Sequence, residues 1–487
     1  MIEVAGTLPQ RDTRPSKAIW LPILWLFIAG SRPISLWFSS HLQDSGNTYL
    51  EGSPFDRNIL TVFIVAALIV LFRRQRRLAA LLRTNAPLLL FVAYCTVSIV
   101  WSDYPDVAFK RWVRLLGDLS MVLVVVTDPA PAAVSAFLER TGLILLPLSI
   151  IMDVWRIATG RLYDSYMGLT TNKNMYGAIA MVLGVGALWR VVRIFRVGDR
   201  KGRFRRLFPS LCIVVMALWC LYVAHSTTSI ACLLLGLIVI FMTNVWSFTQ
   251  KPPVLHLGVL LLIFAAVYVS ILNPDVGVLS TVGKDPTLTQ RTAVWQEVIL
   301  VASPTPVLGA GFESFWLGSR RRQVCSNFAW CPNEAHNGYL EVYANLGWVG
   351  IVLLTLIIVA GYRKAVRSFR MGVDTGSLAL AYIVAVLVYN VSEAGFRIYS
   401  TPWLAFLLSL TATSGGEKAA SQASTARSWE PPTAVDSDPQ FEATGAGDGT
   451  SQARAQQSRQ TEMQAQVPKD FGTYESIKWN HRSRSDC

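Results

Sequence analysis

The chain has 487 residues, of which 52% are hydrophobic and only 15% charged, with a formal net charge of +13. A water-soluble protein carries nearer a quarter charged residues, so an ordinary soluble enzyme is excluded at the outset. The positive balance does not indicate nucleic acid, because the basic residues cluster in "RRQRR" (73–77), "RVVRIFRVGDRKGRFRR" (190–206) and "YRKAVRSFR" (362–370), between long apolar runs.

About 20 apolar residues are what a helix needs to cross roughly 30 Å of hydrocarbon. Such segments are expected near 18–38, 58–72, 86–101, 112–127, 138–157, 174–190, 207–224, 229–247, 254–272, 337–361, 376–392 and 399–413. The fold class is therefore all-α, a polytopic membrane protein of about twelve spans. "GSRP" (30–33) ends or breaks the first helix, since proline cannot continue the hydrogen-bonding pattern. That first stretch is long and has no small-residue cleavage site after it, so no cleavable signal peptide is expected.

With twelve spans the three basic clusters and both termini fall on one side, the cytoplasmic side by the usual loop bias. Most loop acids fall on the other: Asp44, Asp56, Asp103, Asp106, Asp164, Asp275, Asp285, Glu313 and Glu334. The chain divides into a cytoplasmic start (1–17), nine spans (18–272), one large external loop (273–336), three more spans (337–413) and a tail (414–487). The tail turns abruptly to Ser, Ala, Gln, Thr and Gly and cannot bury enough surface to offset its ordering entropy, so it is expected to be disordered. No internal repeat relates the two halves, which counts against inverted-repeat transporters.

Of seven cysteines, Cys95, Cys212, Cys220 and Cys232 lie inside spans and read as small apolar residues. Cys325 and Cys331 flank "SNFAW" in the external loop, where an oxidising exterior permits a disulfide that spacing alone does not fix. No CxxC pair, His/Cys cluster or carboxylate cluster supports a metal site.

The external loop holds most of the informative residues. In "TLTQRTAVWQEVILVASPTPVLGAGFESFW" (287–316), Arg291, Val294, Trp295 and Val298 fall on one side of an amphipathic helix of about three turns. "SPTP" stops it, and "GAG" (309–311) permits a tight turn. Next comes "PNEAHNGYLEVYANLGWVG" (332–350), a polar loop leading into an apolar helix, with Leu340, Tyr343, Gly347 and Gly350 at helical spacing from His336.

His336 is one of five histidines and stands where the polar loop meets the membrane. It is either an ordinary polar residue at a helix start or a general base, since imidazole accepts a proton near neutral pH. Its one serious rival is His225 in "YVAHSTTS". On the same face stand Lys173, in "LTTNKNMYG" (169–177), Arg291, and the triplet Arg320, Arg321 and Arg322. The triplet reads as solvated loop charge, whereas Lys173 and Arg291 can grip a diphosphate at the membrane surface. A base and two cations there suit one reaction: a sugar hydroxyl attacks a carbon bearing a lipid diphosphate, and the cations stabilise the leaving group. A transporter reading would prefer ionisable residues deep in the spans, for which Asp118 is the clearest candidate.

Several stretches, in order, resemble the bacterial O-antigen ligases and Wzy-type polysaccharide polymerases. They are "SIVWSDYPDVAFKRWVRLLGD" (98–118), "GLTTNKNMYG" (168–177), "QRTAVWQEVILVASPTPVLGAGFESF", "AHNGYLEVYANLGWVG" and "NVSEAGF" (390–396), spanning residues 20 to 412 and omitting the tail. The resemblance implies a GT-C-like, metal-independent, cofactor-free glycosyltransferase of the bacterial inner membrane with its site facing the periplasm. Its donor would be an undecaprenyl-diphosphate-linked oligosaccharide held in membrane lipid, its acceptor a glycan, and a chain-length regulator a further partner; nucleic acid is not one. By the same resemblance His336 activates the acceptor and Arg291 and Lys173 engage the diphosphate; Asn174 and Asn337 from the matching motifs, and Thr228 as a hydroxyl that can donate a hydrogen bond, complete the candidate binding set. One departure stands out: many members carry a Ser-Arg pair at the external start of span eight, but "AHSTTSIA" here has no cation. The motifs favour a polymerase of exopolysaccharide repeat units over a lipid A-core ligase, with a polysaccharide transporter or flippase as the reading from another class.

Overall fold

The computed structural model describes residues 14–38, 53–160, 166–196, 202–245, 251–271, 287–328 and 330–413. The expected disordered tail, the first thirteen residues and the start of the external loop (272–286) lie outside these. Among the described residues every regular element is helical. Apart from a 3-10 turn at Lys17–Ile19 and a one-turn helix at Ser35–Phe38, they are in chain order α1 (Trp20–Ala29), α2 (Pro54–Arg73), α3 (Gln75–Thr84), α4 (Ala86–Val97), α5 (Pro105–Val126), α6 (Ala133–Ala158), α7 (Lys173–Arg196) and α8 (Arg203–Ala224). There follow α9 (Thr227–Val245), α10 (Pro252–Ile271), α11 (Thr287–Ala302), α12 (Gly318–Ser326), α13 (Gly338–Arg370), α14 (Thr375–Ser392) and α15 (Thr401–Ala412).

Each expected span overlaps one of these helices. Seven are long and apolar enough to cross a membrane, or eight if the pair α3–α4, bent by 90°, is one span. α1, α15 and the stretch Pro252–Ala265 of α10 are apolar but shorter, and α5 carries several charges in its first half. The count of twelve therefore goes beyond what length and hydropathy establish. α1 stops at Ala29, as "GSRP" requires.

In a bilayer the helices gain nothing by hiding apolar side chains from lipid, so packing and internal hydrogen bonds must hold the bundle. α14 lies at its centre: Leu380 through Val386 are all fully buried. The Tyr382 hydroxyl donates to the Val182 carbonyl of α7 at 2.9 Å. Outward-facing apolar residues such as Val62, Leu68 and Phe72 of α2 are exposed and suit a lipid surface. At the end of the bundle away from His336, Arg74 pairs with Asp128 at 3.1 Å and Arg193 pairs with Asp374, so the basic clusters also tie helices together.

Asp118 is fully buried in α5, and both its oxygens are taken. Trp25 Nε1 of α1 donates to one at 2.8 Å, and the Tyr399 amide, before α15, to the other at 2.7 Å. It ties three segments together, so it lends no support to a transport pathway.

The segment between α10 and α13 builds a small core of its own from Val294, Val298, Val301, Phe315, Trp316 and Val324, which reaches into α13 at Ala344. α11 has 16 residues, more than the three turns expected, and buries Val294 and Val298 while half-burying Arg291 and Trp295 as the pattern requires. Cys325 and Cys331 are paired. The spacing from His336 to Gly350 does not form one continuous helical face. α13 is broken at Gly347 (φ 64°, ψ −163°), where a Cβ would lie 2.2 Å from the Val307 carbonyl oxygen. The "PTPVLGAG" loop enters this break: the amides of Trp348 and Val349 donate to the carbonyls of Pro306 (2.9 Å) and Val307 (3.2 Å). The loop thus takes over bonds that an unbroken helix would make within itself.

Candidate active site

The backbone around His336 is held from both sides. Before it, the Ala335 amide donates to Glu341 Oε1 at 2.6 Å, and the Ala335 carbonyl accepts from Trp295 Nε1 at 2.8 Å. Glu341 also receives Trp316 Nε1 at 2.9 Å. After it, Asn337 caps α13: its Oδ1 accepts from the Tyr339 and Leu340 amides, both at 3.0 Å, and its Nδ2 donates to the Val391 carbonyl at 3.2 Å. Gly338 lies so close to α14 that a Cβ would fall 1.7 Å from Asn390 Oδ1, a position any side chain would disrupt. Asn390 in turn receives the Phe396 amide at 2.7 Å. The two motifs "HNG" and "NVSEAGF" are therefore one interlocked unit, and His336 is held in the left-handed region (φ 49°) at its edge.

Glu393, just past the end of α14, is the hub. It is 3% exposed, and a buried carboxylate must be matched by donors or cations. Arg291 Nη2 reaches Oε1 at 2.9 Å, and the same guanidinium donates to the Ser392 carbonyl. Asn174 Nδ2 donates to Oε2 at 3.1 Å, and His336 Nδ1 lies 3.4 Å from the same oxygen. His336 Nδ1 is also 3.1 Å from Glu334 Oε1, whose other oxygen pairs with Arg397 at 3.2 Å. A carboxylate oxygen accepts, so Nδ1 is the donor on this side, and in the neutral ring Nε2 is then the lone-pair nitrogen. Burial alone would lower the imidazole pKa. The Glu393 hydrogen bond and the charges of Glu334 and Glu393 outweigh both burial and Arg291, so the net shift is upward from the ordinary 6.5.

Glu334, His336 and Glu393 bring their ligand-type atoms within 4.8 Å of one another, a grouping the sequence spacing did not suggest. It has the donor types of a metal site. Arg397 and Arg291 already pair with the two carboxylates, so guanidinium charge stands where a dication's would.

Beside the cluster opens a cavity of about 550 Å³. Its polar wall includes Arg111, Arg114, Asn174, Glu334, Glu393 and Arg397, and its apolar wall Ile28, Leu60, Met175 and Ala178 from spanning helices. An amphipathic ligand with a polar head fits such a lining.

Of the residues singled out from sequence, His336, Arg291, Asn174, Asn337 and Thr228 converge on the end of α14. Thr228 Oγ1 is 2.9 Å from Ser392 Oγ. Lys173 is exposed on the first turn of α7 and makes no ion pair with a described residue; its neighbour Asn174 makes the contact to Glu393. His225 is exposed, and its ring lies 6.1 Å from that of Tyr222. Sequence reasoning missed Glu393, Arg111, Arg114 and Arg397. The signal for Glu393 was an acid closing an apolar run, and for the α5 arginines two cations three residues apart at the start of a span.

Two comparisons bear on this arrangement. Residues 212–355 match the family described as O-Antigen ligase, a stretch that includes Thr228, Arg291, His336 and Asn337. The chain is also 23% identical over 286 residues to "Exopolysaccharide production protein ExoQ" of Rhizobium meliloti (strain 1021), covering 56% of this chain and 63% of that protein. Both support the O-antigen ligase and Wzy-type family that the ordered motifs indicated.

Proposed function

We propose that this chain, of the O-antigen ligase and Wzy-type family, is a membrane glycosyltransferase that polymerises polysaccharide repeat units. The donor is a glycan on undecaprenyl diphosphate in a bacterial inner membrane, and the acceptor is a sugar hydroxyl of a second glycan on the periplasmic face. The observation that carries this reading is the state of His336: Nδ1 is committed to Glu334 and Glu393, and Nε2 hydrogen-bonds no described residue.

The acceptor hydroxyl gives its proton to Nε2 as its oxygen bonds to the anomeric carbon. The bond from that carbon to the diphosphate breaks, and the electron pair leaves with the diphosphate. Glu334 and Glu393 stabilise the imidazolium that forms, while Arg291 and Lys173 stabilise the growing negative charge. The imidazolium proton then passes to water. The chain's own residues supply base and counter-charge, so the reaction as written uses no metal.

The name of the curated relative, which concerns exopolysaccharide production, favours polymerisation; the description of the matching family, O-Antigen ligase, keeps ligation to lipid A-core as the second reading. The two chemistries differ only in acceptor. Purified full-length protein given one lipid-linked repeat unit, with and without lipid A-core, separates them. Oligomers of the repeat on lipid support polymerisation. Transfer only when lipid A-core is present supports ligation, and no transfer with either acceptor refutes the glycosyltransferase reading.

A further inference from the structure

We propose that Arg114, with Arg111 a turn before it on α5, forms a second anion subsite in the cavity beside Glu393 and takes the diphosphate of the donor. The proposal rests on the glycosyltransferase reading above and assigns the cation that the span-eight stretch "AHSTTSIA" lacks.

A diphosphate carries at least two negative charges, and the guanidiniums nearest His336 are already engaged. Arg291 is ion-paired with Glu393 at 2.9 Å and Arg397 with Glu334 at 3.2 Å, so each lends only part of its charge to a ligand. Arg111 and Arg114 both line the cavity that Glu393 and Glu334 also line. Three residues apart, they share a helix face, where like charges repel unless an anion lies between them. Arg111 is anchored by donation to the Glu313 carbonyl. Arg114 is half-buried, yet its guanidinium makes no hydrogen bond or ion pair with a described residue. Of the two carboxylates on its own helix, Asp106 lies exposed in the first turn, and Asp118 lies one turn deeper with both oxygens occupied by Trp25 and Tyr399.

A guanidinium has five N–H donors in a fixed fork, which matches phosphate oxygens in bidentate fashion. Asp56, another carboxylate of the lining, is engaged by the Ser35 amide at 2.8 Å and the Ser35 hydroxyl at 2.7 Å, while Glu313, which also lines the cavity, takes Arg111 through its backbone carbonyl. Diphosphate is therefore the chemistry recognised; its source can be lipid-linked or soluble.

The test is binding to the full-length protein in lipid nanodiscs, with undecaprenyl diphosphate, inorganic diphosphate and undecaprenol as probes. R114Q is expected to weaken undecaprenyl diphosphate by about 10-fold or more, the loss of one charge-assisted contact, and to leave undecaprenol unchanged. R111Q is expected to weaken it in the same direction. If R114Q does not stay monodisperse, R114K carries the test: it keeps the charge but loses the fork, so severalfold weaker binding supports the subsite and unaltered binding overturns it. Inorganic diphosphate that binds as tightly and loses as much in R114Q keeps the subsite but makes its ligand soluble. Wild-type affinity in R114Q and R111Q, with Arg291→Ala impaired, overturns the subsite and leaves the proposed function standing. A wild-type protein that binds undecaprenyl diphosphate no better than undecaprenol defeats both.

Discussion

Glu393→Gln is the substitution that asks most of the site. The carboxylate accepts Arg291 at 2.9 Å and Asn174 at 3.1 Å, and faces His336 Nδ1 at 3.4 Å. Glutamine offers one acceptor oxygen and turns an N–H2 group toward donors. Breaking a buried ion pair by removing one partner costs about 3–5 kcal/mol; Arg291 keeps 22% of its side chain exposed and can find water, which puts the expected loss at the lower end. The base is weakened as well as misdirected. A positioned general base contributes roughly 10²–10⁴-fold, and because Glu334 remains, turnover should fall by about 10²-fold rather than vanish. The sign of the pH effect is fixed by the same geometry. A base works only above its pKa, and Glu393 raises that of His336, so the wild-type acid limb lies above 6.5 and moves to lower pH in Glu393→Gln. Turnover of a lipid-linked repeat unit, measured from about pH 5 to pH 9 on both proteins, reads both effects. An unmoved acid limb together with near wild-type turnover would refute the hub assignment.

Asn337→Ala removes a cap that accepts two amides, and thermal unfolding should show a loss of about 1 kcal/mol along with lower turnover. Asn337→Ser keeps the cap and should recover most of the stability but, without the bond to Val391, less of the activity. Gly347→Ala forces a Cβ to 2.2 Å from the Val307 carbonyl oxygen at positive φ; a loss of about 2 kcal/mol or more is expected, read as a fall in melting temperature of the solubilised protein. Cys325 and Cys331, being paired, should resist a membrane-impermeant maleimide on intact spheroplasts until a reductant is added; labelling without reductant contradicts the pairing.

The architecture was legible because its causes are local. An apolar run long enough to cross a bilayer must satisfy its own backbone, and helix is the means a single segment has. Proline at 33 and "SPTP" at 303–306 mark real helix ends for the same reason. The site was half legible. His336, Arg291, Asn174, Asn337 and Thr228 could be named from motifs, but what unites them is the end of α14, Val391 to Glu393, with Glu393 itself 57 residues from His336 and 219 from Asn174 along the chain. No spacing rule reaches that far. The break at Gly347 was misread because a glycine at helical spacing looks like a packing face. Only the approach of the loop at Val307 makes it a hinge in the chain path. The carboxylates beside His336 escaped for the reverse reason: Glu334 looked like a loop acid, and Glu393 was overlooked as the end of an apolar helix.

The central claim is that His336 removes the acceptor proton. A strain lacking the gene, complemented with wild type or with His336→Ala at matched expression, tests it directly through its lipid-linked and exported glycans. The account predicts single repeat units accumulating on lipid diphosphate in the His336→Ala strain, with no long polymer exported. Normal polymer and normal lipopolysaccharide from that strain would contradict it.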